Sequence, residues 1–243
     1  MNKLIIATVL ALAPALGLAS GGGPALQSAN IDLTDQASLQ RGAKAYIDNC
    51  MGCHSLKYMR YNRMAEDIGI GEADLRKDYI LGEAKPGDQM AIPMRPEDAE
   101  KWFGVAVPDL TLVTRWRSPD WVYTYLKSFY TDPTRPWGVN NLVFPAVGMP
   151  HVLQGLQGVQ EPVLGEHHGE GTAAPTGVKL VQPGKLSAEQ YDAVVRDLTN
   201  FLTYAGEPMR LERQRLGWYV LGFLALFFVL AYLLKKEYWK DIH

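Results

Sequence analysis

The chain's two cysteines lie three positions apart and are followed at once by a histidine, in the stretch Cys50-Met51-Gly52-Cys53-His54. This C-x-x-C-H pattern is the attachment signature of a c-type haem. Two thiols at this spacing can reach the two vinyl groups at one edge of a porphyrin, and His54 then offers an imidazole nitrogen to the iron as the proximal ligand. Because there are only 2 cysteines, no thiol remains for a structural disulfide.

A C-x-x-C pair also occurs in thioredoxin-like redox sites and in zinc sites. The sequence has no second C-x-x-C, which excludes a four-cysteine zinc site, and no βαβ pattern surrounds the pair, which argues against a thioredoxin-like site. With 5 histidines in 243 residues, a histidine directly after the second cysteine is a chance event of about 2%. The motif therefore favours haem attachment.

The first residues predict an export signal, which a covalently attached haem requires because attachment takes place where exported proteins mature. A positive start, Met1–Lys3, precedes the apolar run Leu4–Ala13 and a stretch of small residues, so we expect a signal peptide over residues 1–19 with cleavage after Ala19. The alternative is an uncleaved anchor made of residues 4–19. An arginine-rich transit peptide is absent, which favours bacterial export over organelle import.

A second apolar segment, residues 216–234, runs for 19 residues without a charge and is long enough for one transmembrane helix. The alternative, a buried core helix, fits poorly with the flanking residues. Both ends of the segment carry the aromatic and basic residues that are typical of membrane interfaces: Arg213, Arg215, Trp218, Tyr219, Tyr232, Lys235, Lys236, Tyr238 and Trp239.

The sequence thus divides into the signal peptide, an exported haem domain (residues 20–209), an amphipathic bridge with the transmembrane anchor (210–234) and a cytoplasmic tail (235–243). Basic residues are nearly balanced across the anchor, so its orientation is inferred from the signal peptide and the haem motif. Residues 20–209 carry 17 lysines and arginines against 23 aspartates and glutamates. Such an acidic domain favours a basic redox partner, although surface acids also serve solubility alone. Nothing in this charge pattern supports nucleic-acid binding.

Helix signals recur along the exported domain. We expect one helix over residues 38–49. In it, either Gly42 permits another helix to approach while Tyr46 packs beside it, or both are ordinary helix residues. Ser118-Pro119-Asp120 predicts a helix start, with an end near Tyr130. Ser187 opens a capping-box pattern for a helix that ends near Ala205-Gly206.

Between these helices the sequence is irregular. Residues 66–108 and 131–165 contain many prolines and glycines and predict loops, residues 165–184 predict a surface loop, and no strand pattern is visible. The expected fold is all-α, a cytochrome c-like haem domain with long loops plus one C-terminal transmembrane helix.

The sixth iron ligand is sought among methionines and histidines downstream of the motif. Met149 lies between Gly148 and Pro150, which predicts a rigid loop that presents the side chain inward. Thioether ligation would raise the reduction potential, as suits a carrier late in a respiratory chain. From the residues alone an open sixth position also remains possible, as do other ligands: Met90, Met94, His151, His167 and His168. Haem propionates need cationic or hydrogen-bonding partners, for which the candidates are Arg115, Arg117 and Trp121.

Beyond the haem motif, longer stretches resemble the cytochrome c1 family, the haem c subunits of cytochrome bc1 complexes (ubiquinol–cytochrome c reductases). The resemblance covers nearly the whole chain after the signal, with little match over residues 160–184. It rests on six stretches: Ile31-Asp32-Leu33, Arg41-Gly42, Cys53-His54-Ser55-Leu56-Lys57-Tyr58-Met59-Arg60-Tyr61, Pro108-Asp109-Leu110, Asp120-Trp121-Val122-Tyr123 and Phe144-Pro145-Ala146-Val147-Gly148-Met149-Pro150.

The resemblance implies one haem c with His54 and Met149 as axial ligands. It implies that Pro108 packs against the haem and that Arg115 pairs with a propionate, with Arg117 as the alternative alignment. It implies no catalytic residue in this chain, since the complex is the enzyme and the quinol sites of the family lie on cytochrome b.

The same resemblance implies an electron path from a Rieske iron–sulfur protein through this haem to a soluble or tethered cytochrome c. The partners would be cytochrome b and the Rieske protein in a dimeric complex of the bacterial inner membrane, with the haem domain in the periplasm. Two rival functions remain: an independent tethered cytochrome c that shuttles to an oxidase, and a haem enzyme or gas sensor with an open sixth position.

Overall fold

A computed structural model of the protein describes residues 24–165 and 174–241. The expected signal peptide (1–19) and two of the candidate ligands, His167 and His168, lie outside these ranges.

The described residues are rich in helices, as predicted. In chain order the helices are α1 (Gln36–Asn49), α2 (Tyr61–Ile68), α3 (Glu72–Asp74), followed by a π-helical turn (Leu75–Tyr79), α4 (Pro96–Phe103), α5 (Val113–Trp116), α6 (Pro119–Lys127), α7 (Gln154–Gln157), α8 (Ala188–Gly206) and α9 (Arg210–Tyr238). The expected helical class with one C-terminal apolar helix is confirmed.

Strands also form, against the expectation that there would be none. Three two-stranded antiparallel sheets pair β1 (Leu56–Arg60) with β2 (Gln89–Met90), β3 (Phe129–Thr131) with β4 (Val139–Asn141), and β5 (Gly158–Leu164) with β6 (Pro175–Pro183). The predicted surface loop over 165–184 is therefore wrong for β6, and the predicted loops over 66–108 and 131–165 contain short helices and strands. The strands were not predicted because most of them are short. The longer strand β6 is largely exposed on both faces, so it lacks the alternation of apolar and polar residues that marks a half-buried strand.

The core is built where α1 crosses α8. A Cβ atom on Gly42 would overlap the carbonyl oxygen of Asp197 and lie 2.7 Å from the Cβ of Phe201, so only glycine allows this approach. The rings of Tyr46 and Phe201 pack beside it with their centroids 5.8 Å apart. The predicted role of Gly42 is confirmed.

An ion pair ties the same two helices together at their edge. Arg41 Nε and Nη2 donate to the carboxylate of Asp197 at 2.6 and 3.0 Å. Ser38 Oγ donates to the same carboxylate at 2.7 Å. Asp197 is buried, and these donors compensate the cost of removing its charge from water.

The two predicted helix starts are present. Ser118 caps α6 by accepting a hydrogen bond from the Trp121 backbone, and Ser187 with Gln190 forms the capping box of α8. Helix α6 ends at Lys127 rather than near Tyr130, because Phe129 begins β3 and its backbone groups pair with β4.

The anchor and the bridge form one continuous 29-residue helix, α9, which reaches Tyr238 and so includes part of the expected tail. Its most apolar window has a mean hydropathy of 2.2, and α9 is long enough to cross a membrane. Glu207 joins α9 to the haem domain, since its carboxylate accepts from Arg115 Nη1 at 2.9 Å and from Arg213 Nε at 2.6 Å.

Candidate haem site

A tight turn carries the cysteine motif directly after α1. Cys50 closes the helix by donating its backbone N–H to the Tyr46 carbonyl at 2.8 Å, and the N–H groups of Cys53 and His54 return to the Cys50 carbonyl at 3.0 and 2.9 Å. Both thiols are free, Cys50 buried and Cys53 half-buried. Burial, with a smaller contribution from Cys53, raises the pKa of the Cys50 thiol to about 12. The turn thus presents two reduced thiols and an imidazole within five residues.

The imidazole of His54 is held on one nitrogen, with the other left for a ligand. Its Nδ1 lies 2.7 Å from the Pro108 carbonyl oxygen and donates to it, which leaves Nε2 as the unprotonated nitrogen. Metal-ligating histidines are oriented in this way by a carbonyl or carboxylate behind them. Burial lowers the pKa of His54, which favours the neutral form that binds iron. This geometry fits a proximal haem ligand.

Hydrogen bonds fasten the Pro108 segment to the chain that follows the motif. Asp109 accepts from the Lys57 N–H at 2.8 Å and from the Thr111 N–H at 2.9 Å. The Leu110 N–H donates to the Ser55 carbonyl at 2.9 Å. Pro108 was predicted to pack against the haem; in the structure its carbonyl group orients the His54 ring.

Met149 lies in a loop that approaches the same segment. The thioether sulfur accepts a hydrogen bond from Tyr125 Oη at 3.3 Å, and the side chain packs in a half-buried position against a small apolar cluster. The preceding Gly148 lies so close to Val105 that a Cβ would be 3.0 Å from its Cγ2. The Met149 loop thus contacts Val105, three residues before Pro108, whose carbonyl holds His54.

The rival ligands in the described residues are engaged elsewhere. Met90 is fully buried in the main core, paired with Leu56 in the β1–β2 sheet. His151 stacks on Phe129 with ring centroids 4.7 Å apart and lies 2.8 Å from Gln157 Oε1, and burial lowers its pKa to about 4. Met94 is half-buried beside α4. The Met90 segment also lies close to the motif, since Met90 pairs with Leu56 and the Ile92 N–H donates to Ser55 Oγ at 3.0 Å, but the buried Met90 side chain belongs to the core.

The two arginines proposed for the propionates have different neighbours. Arg115 pairs with Glu207 at the start of the anchor. The guanidinium of Arg117 lies over the rings of Trp116 and Trp121, 4.1 and 4.9 Å from their centroids. Trp121 in turn stacks on Tyr125, the partner of Met149, at 5.0 Å. Arg117 is therefore on the Met149 side of the site, whereas Arg115 forms an ion pair with Glu207 next to the anchor helix.

Two hydroxyl groups of the site were not predicted to act there. Tyr46 Oη donates to the His54 carbonyl at 2.6 Å, and Tyr125 Oη donates to the Met149 sulfur. In the sequence both tyrosines lie on the apolar face of a helix, which indicates only that they pack in the core.

A histidine held on Nδ1 directly after two free thiols defines the site of a c-type cytochrome, here joined to an apolar helix long enough to cross a membrane. Residues 27–158 and 179–242 match the Cytochrome C1 family. The chain belongs to the cytochrome c1 family: it is a membrane-anchored, haem c-carrying electron-transfer subunit of a bc1 complex, which is an oxidoreductase.

Three relatives illustrate the similarity. The chain is 66% identical to cytochrome c1 of Allochromatium vinosum, over 100% of both chains. It is 46% identical to the ammonia monooxygenase gamma subunit of Nitrosomonas europaea, over 100% of this chain and 99% of that one. It is 31% identical to cytochrome b/c1 of Bradyrhizobium diazoefficiens, over 86% of this chain and 34% of that one.

Proposed function

We propose that this chain takes single electrons from a Rieske iron–sulfur protein and passes them to a cytochrome c. The observation that carries the proposal is the hydrogen bond from His54 Nδ1 to the Pro108 carbonyl at 2.7 Å, beside two free cysteines. That bond leaves Nε2 as the ligating nitrogen. The bound haem c would supply a one-electron redox centre.

Each residue of the site has a defined task in this proposal. Cys50 and Cys53 form the thioether links, and His54 supplies the imidazole ligand. Met149 supplies the thioether ligand, which favours a high reduction potential. Arg117, rather than Arg115, is the better placed partner for a propionate, because the Arg115 guanidinium already faces Glu207. Protein groups held in this way need little rearrangement when an electron arrives.

The proposed topology places residues 20–209 in the periplasm, α9 across the inner membrane and residues 235–243 in the cytoplasm, after removal of residues 1–19. The acidic outer domain supports a basic cytochrome c, soluble or tethered, as the acceptor. Cytochrome b and the Rieske protein would be its partners in a dimeric complex. The name of the Bradyrhizobium diazoefficiens relative, cytochrome b/c1, supports a b-type partner.

The alternatives have less support. A shuttling tethered cytochrome needs a flexible linker, whereas α8 and α9 are separated by three residues and joined by the Glu207 ion pairs. A haem enzyme or gas sensor needs an open sixth position, whereas the loop that carries Met149 packs on Val105, three residues before the Pro108 carbonyl that holds His54.

Purification of the chain in mild detergent tests the proposal. We expect a b-type haem protein and an iron–sulfur protein to co-purify, with quinol–cytochrome c reductase activity in the same fraction. Recovery of the chain alone would favour a shuttle. Recovery with an ammonia monooxygenase instead would favour the assembly that the name of the Nitrosomonas europaea relative suggests.

A further inference from the structure

The loop that presents Met149 contains a residue in an unfavourable backbone conformation. Ala146, three positions before the methionine, has a φ of +60°, in the left-handed region. An L-residue with a Cβ atom pays free energy to stay there, and such residues persist only where their surroundings hold them.

Two side chains of the neighbouring β3–β4 hairpin, Arg135 in its turn and Asn140 in β4, hold both backbone groups of Ala146. Asn140 Oδ1 accepts a hydrogen bond from the Ala146 N–H at 2.9 Å. Arg135 Nη2 donates to the Ala146 carbonyl oxygen at 2.8 Å. Asn140 is itself fixed, since its Nδ2 donates to Asp132 Oδ2 at 2.9 Å. The side chains of Asn140 and Arg135 therefore stabilise the left-handed conformation of Ala146.

The beginning of the same loop is fastened independently. Asn141 is buried, and its Oδ1 accepts from the N–H groups of Val143 and Phe144 at 3.0 and 3.3 Å. Its Nδ2 donates to the Tyr125 carbonyl at 2.8 Å, and Tyr125 Oη donates to the Met149 sulfur. Ala146 lies between this fastened beginning of the loop and Met149, and its left-handed backbone is held there by Asn140 and Arg135.

We infer that Asn140 and Arg135 are positioning residues for Met149. They keep Ala146 left-handed, and this conformation directs the chain through Gly148 so that the thioether stays at the haem site. Without them the loop relaxes towards an ordinary backbone conformation, and the sulfur leaves the iron more easily. This inference rests on the proposed role of Met149 as axial ligand.

The test is the rate at which added imidazole displaces the sulfur in the oxidised, haem-loaded full-length chain, purified with its native partners. Displacement is followed at constant pH as loss of the weak long-wavelength sulfur-to-iron band. For Asn140→Ala we expect an acceleration of about tenfold, in line with the loss of one hydrogen bond. Arg135→Ala should act in the same direction. Asn62→Ala, which removes an exposed contact to the Arg63 N–H on α2, is the matched control and should not change the rate.

A double variant separates positioning from general loosening. Glycine adopts the left-handed conformation without strain, so Asn140→Ala combined with Ala146→Gly should recover much of the wild-type rate. An Asn140→Ala rate equal to wild type, or an acceleration that Ala146→Gly leaves unchanged, would overturn the inference alone. A wild-type protein without the band would overturn the ligand assignment and, with it, this inference.

Discussion

Two groups elsewhere in the chain hold His54, one at its ring and one at its backbone carbonyl. Its ring donates to the Pro108 carbonyl and its own carbonyl accepts from Tyr46. The ring and backbone positions are thereby set before any ligand binds, and the Nε2 atom is left without a proton. Because an imidazole and a thioether are both neutral, the net charge at the site would change only with the oxidation state of the iron.

Met149→Leu tests the distal ligand at the scale of one side chain. Leucine conserves the volume and the apolar packing but has no sulfur, so we expect the long-wavelength band of the oxidised protein to disappear and the reduction potential to fall. Absorption spectra and a redox titration measure both effects. An unchanged spectrum would contradict the assignment of Met149.

Asp192→Asn tests a charge at the domain surface. Asp192 accepts from Lys127 at 2.5 Å, from Arg196 at 2.6 Å and from the hydroxyl of Tyr123. Burial works to raise the pKa of this carboxyl, but the hydrogen bonds from Lys127 and Tyr123 outweigh it and the net pKa is lowered. Its contribution to stability is therefore present above the unfolded pKa of about 4 and is lost as the pH falls through the folded value.

We expect Asp192→Asn to lower the free energy of unfolding by about 1–2 kcal/mol at pH 7. The difference from wild type should shrink below about pH 4. Chemical denaturation of the haem-loaded chain at several pH values measures this. Asp78→Asn is the control, because the exposed Asp78 lies 3.9 Å from Lys77 and such pairs contribute little. If the difference in the free energy of unfolding persisted undiminished at pH 3, it would contradict a lowered pKa of Asp192.

For single residues, the sequence predicts the role of a side chain when its partners are close neighbours in the chain. The two cysteines and His54 are neighbours in the chain, so their chemistry follows from the motif. Met149 lies far from them in the chain; its position between Gly148 and Pro150 favoured it over Met90 and His151 without excluding them, and the resemblance decided between these candidates. Tyr125 could not be recognised as its hydrogen-bond donor, because a tyrosine on a helix gives no sign of what its hydroxyl meets.

At the scale of elements, the crossing of α1 and α8 is the contact on which the core depends. Gly42→Ala places a methyl group against the Asp197 backbone and the Phe201 side chain, neither of which can move without separating the helices. We expect a loss of about 3 kcal/mol in the free energy of unfolding. Gly155→Ala, with nothing within 4 Å of its new methyl group, is the control and should be near neutral. Equal free energies of unfolding for the two variants would show that the close approach of α1 to α8 does not depend on a glycine at position 42.

Helices with a cap and an apolar stripe were predicted with useful accuracy, as α1, α6 and α8 show. The β5–β6 hairpin was missed because Val163, Leu164, Leu180 and Val181 stay largely exposed, so no buried face imposes alternation on the sequence. The bridge before the anchor was predicted as a separate piece, but Glu207 and Arg213 stabilise the first turns of α9, and the helix continues without a break.

At the scale of the whole molecule, an acidic head is fixed on a membrane helix. Residues 66–88 hold seven acids against three bases. We expect electron transfer to a basic cytochrome c to slow as ionic strength rises from about 10 mM to about 150 mM, because the Debye length falls from about 30 to about 8 Å. Stopped-flow mixing at several salt concentrations measures the rate. A rate that does not depend on salt would exclude docking through the acidic surface.

The central claim is that this haem receives its electron from quinol oxidation and gives it to a cytochrome c. Single-turnover mixing of the purified oxidised complex with a quinol, followed at the c-type haem absorbance, tests it most directly. We expect the haem of this chain to be reduced by one electron within a turnover and to be reoxidised when cytochrome c is added. A c-type haem that stays oxidised while the complex consumes quinol would contradict it.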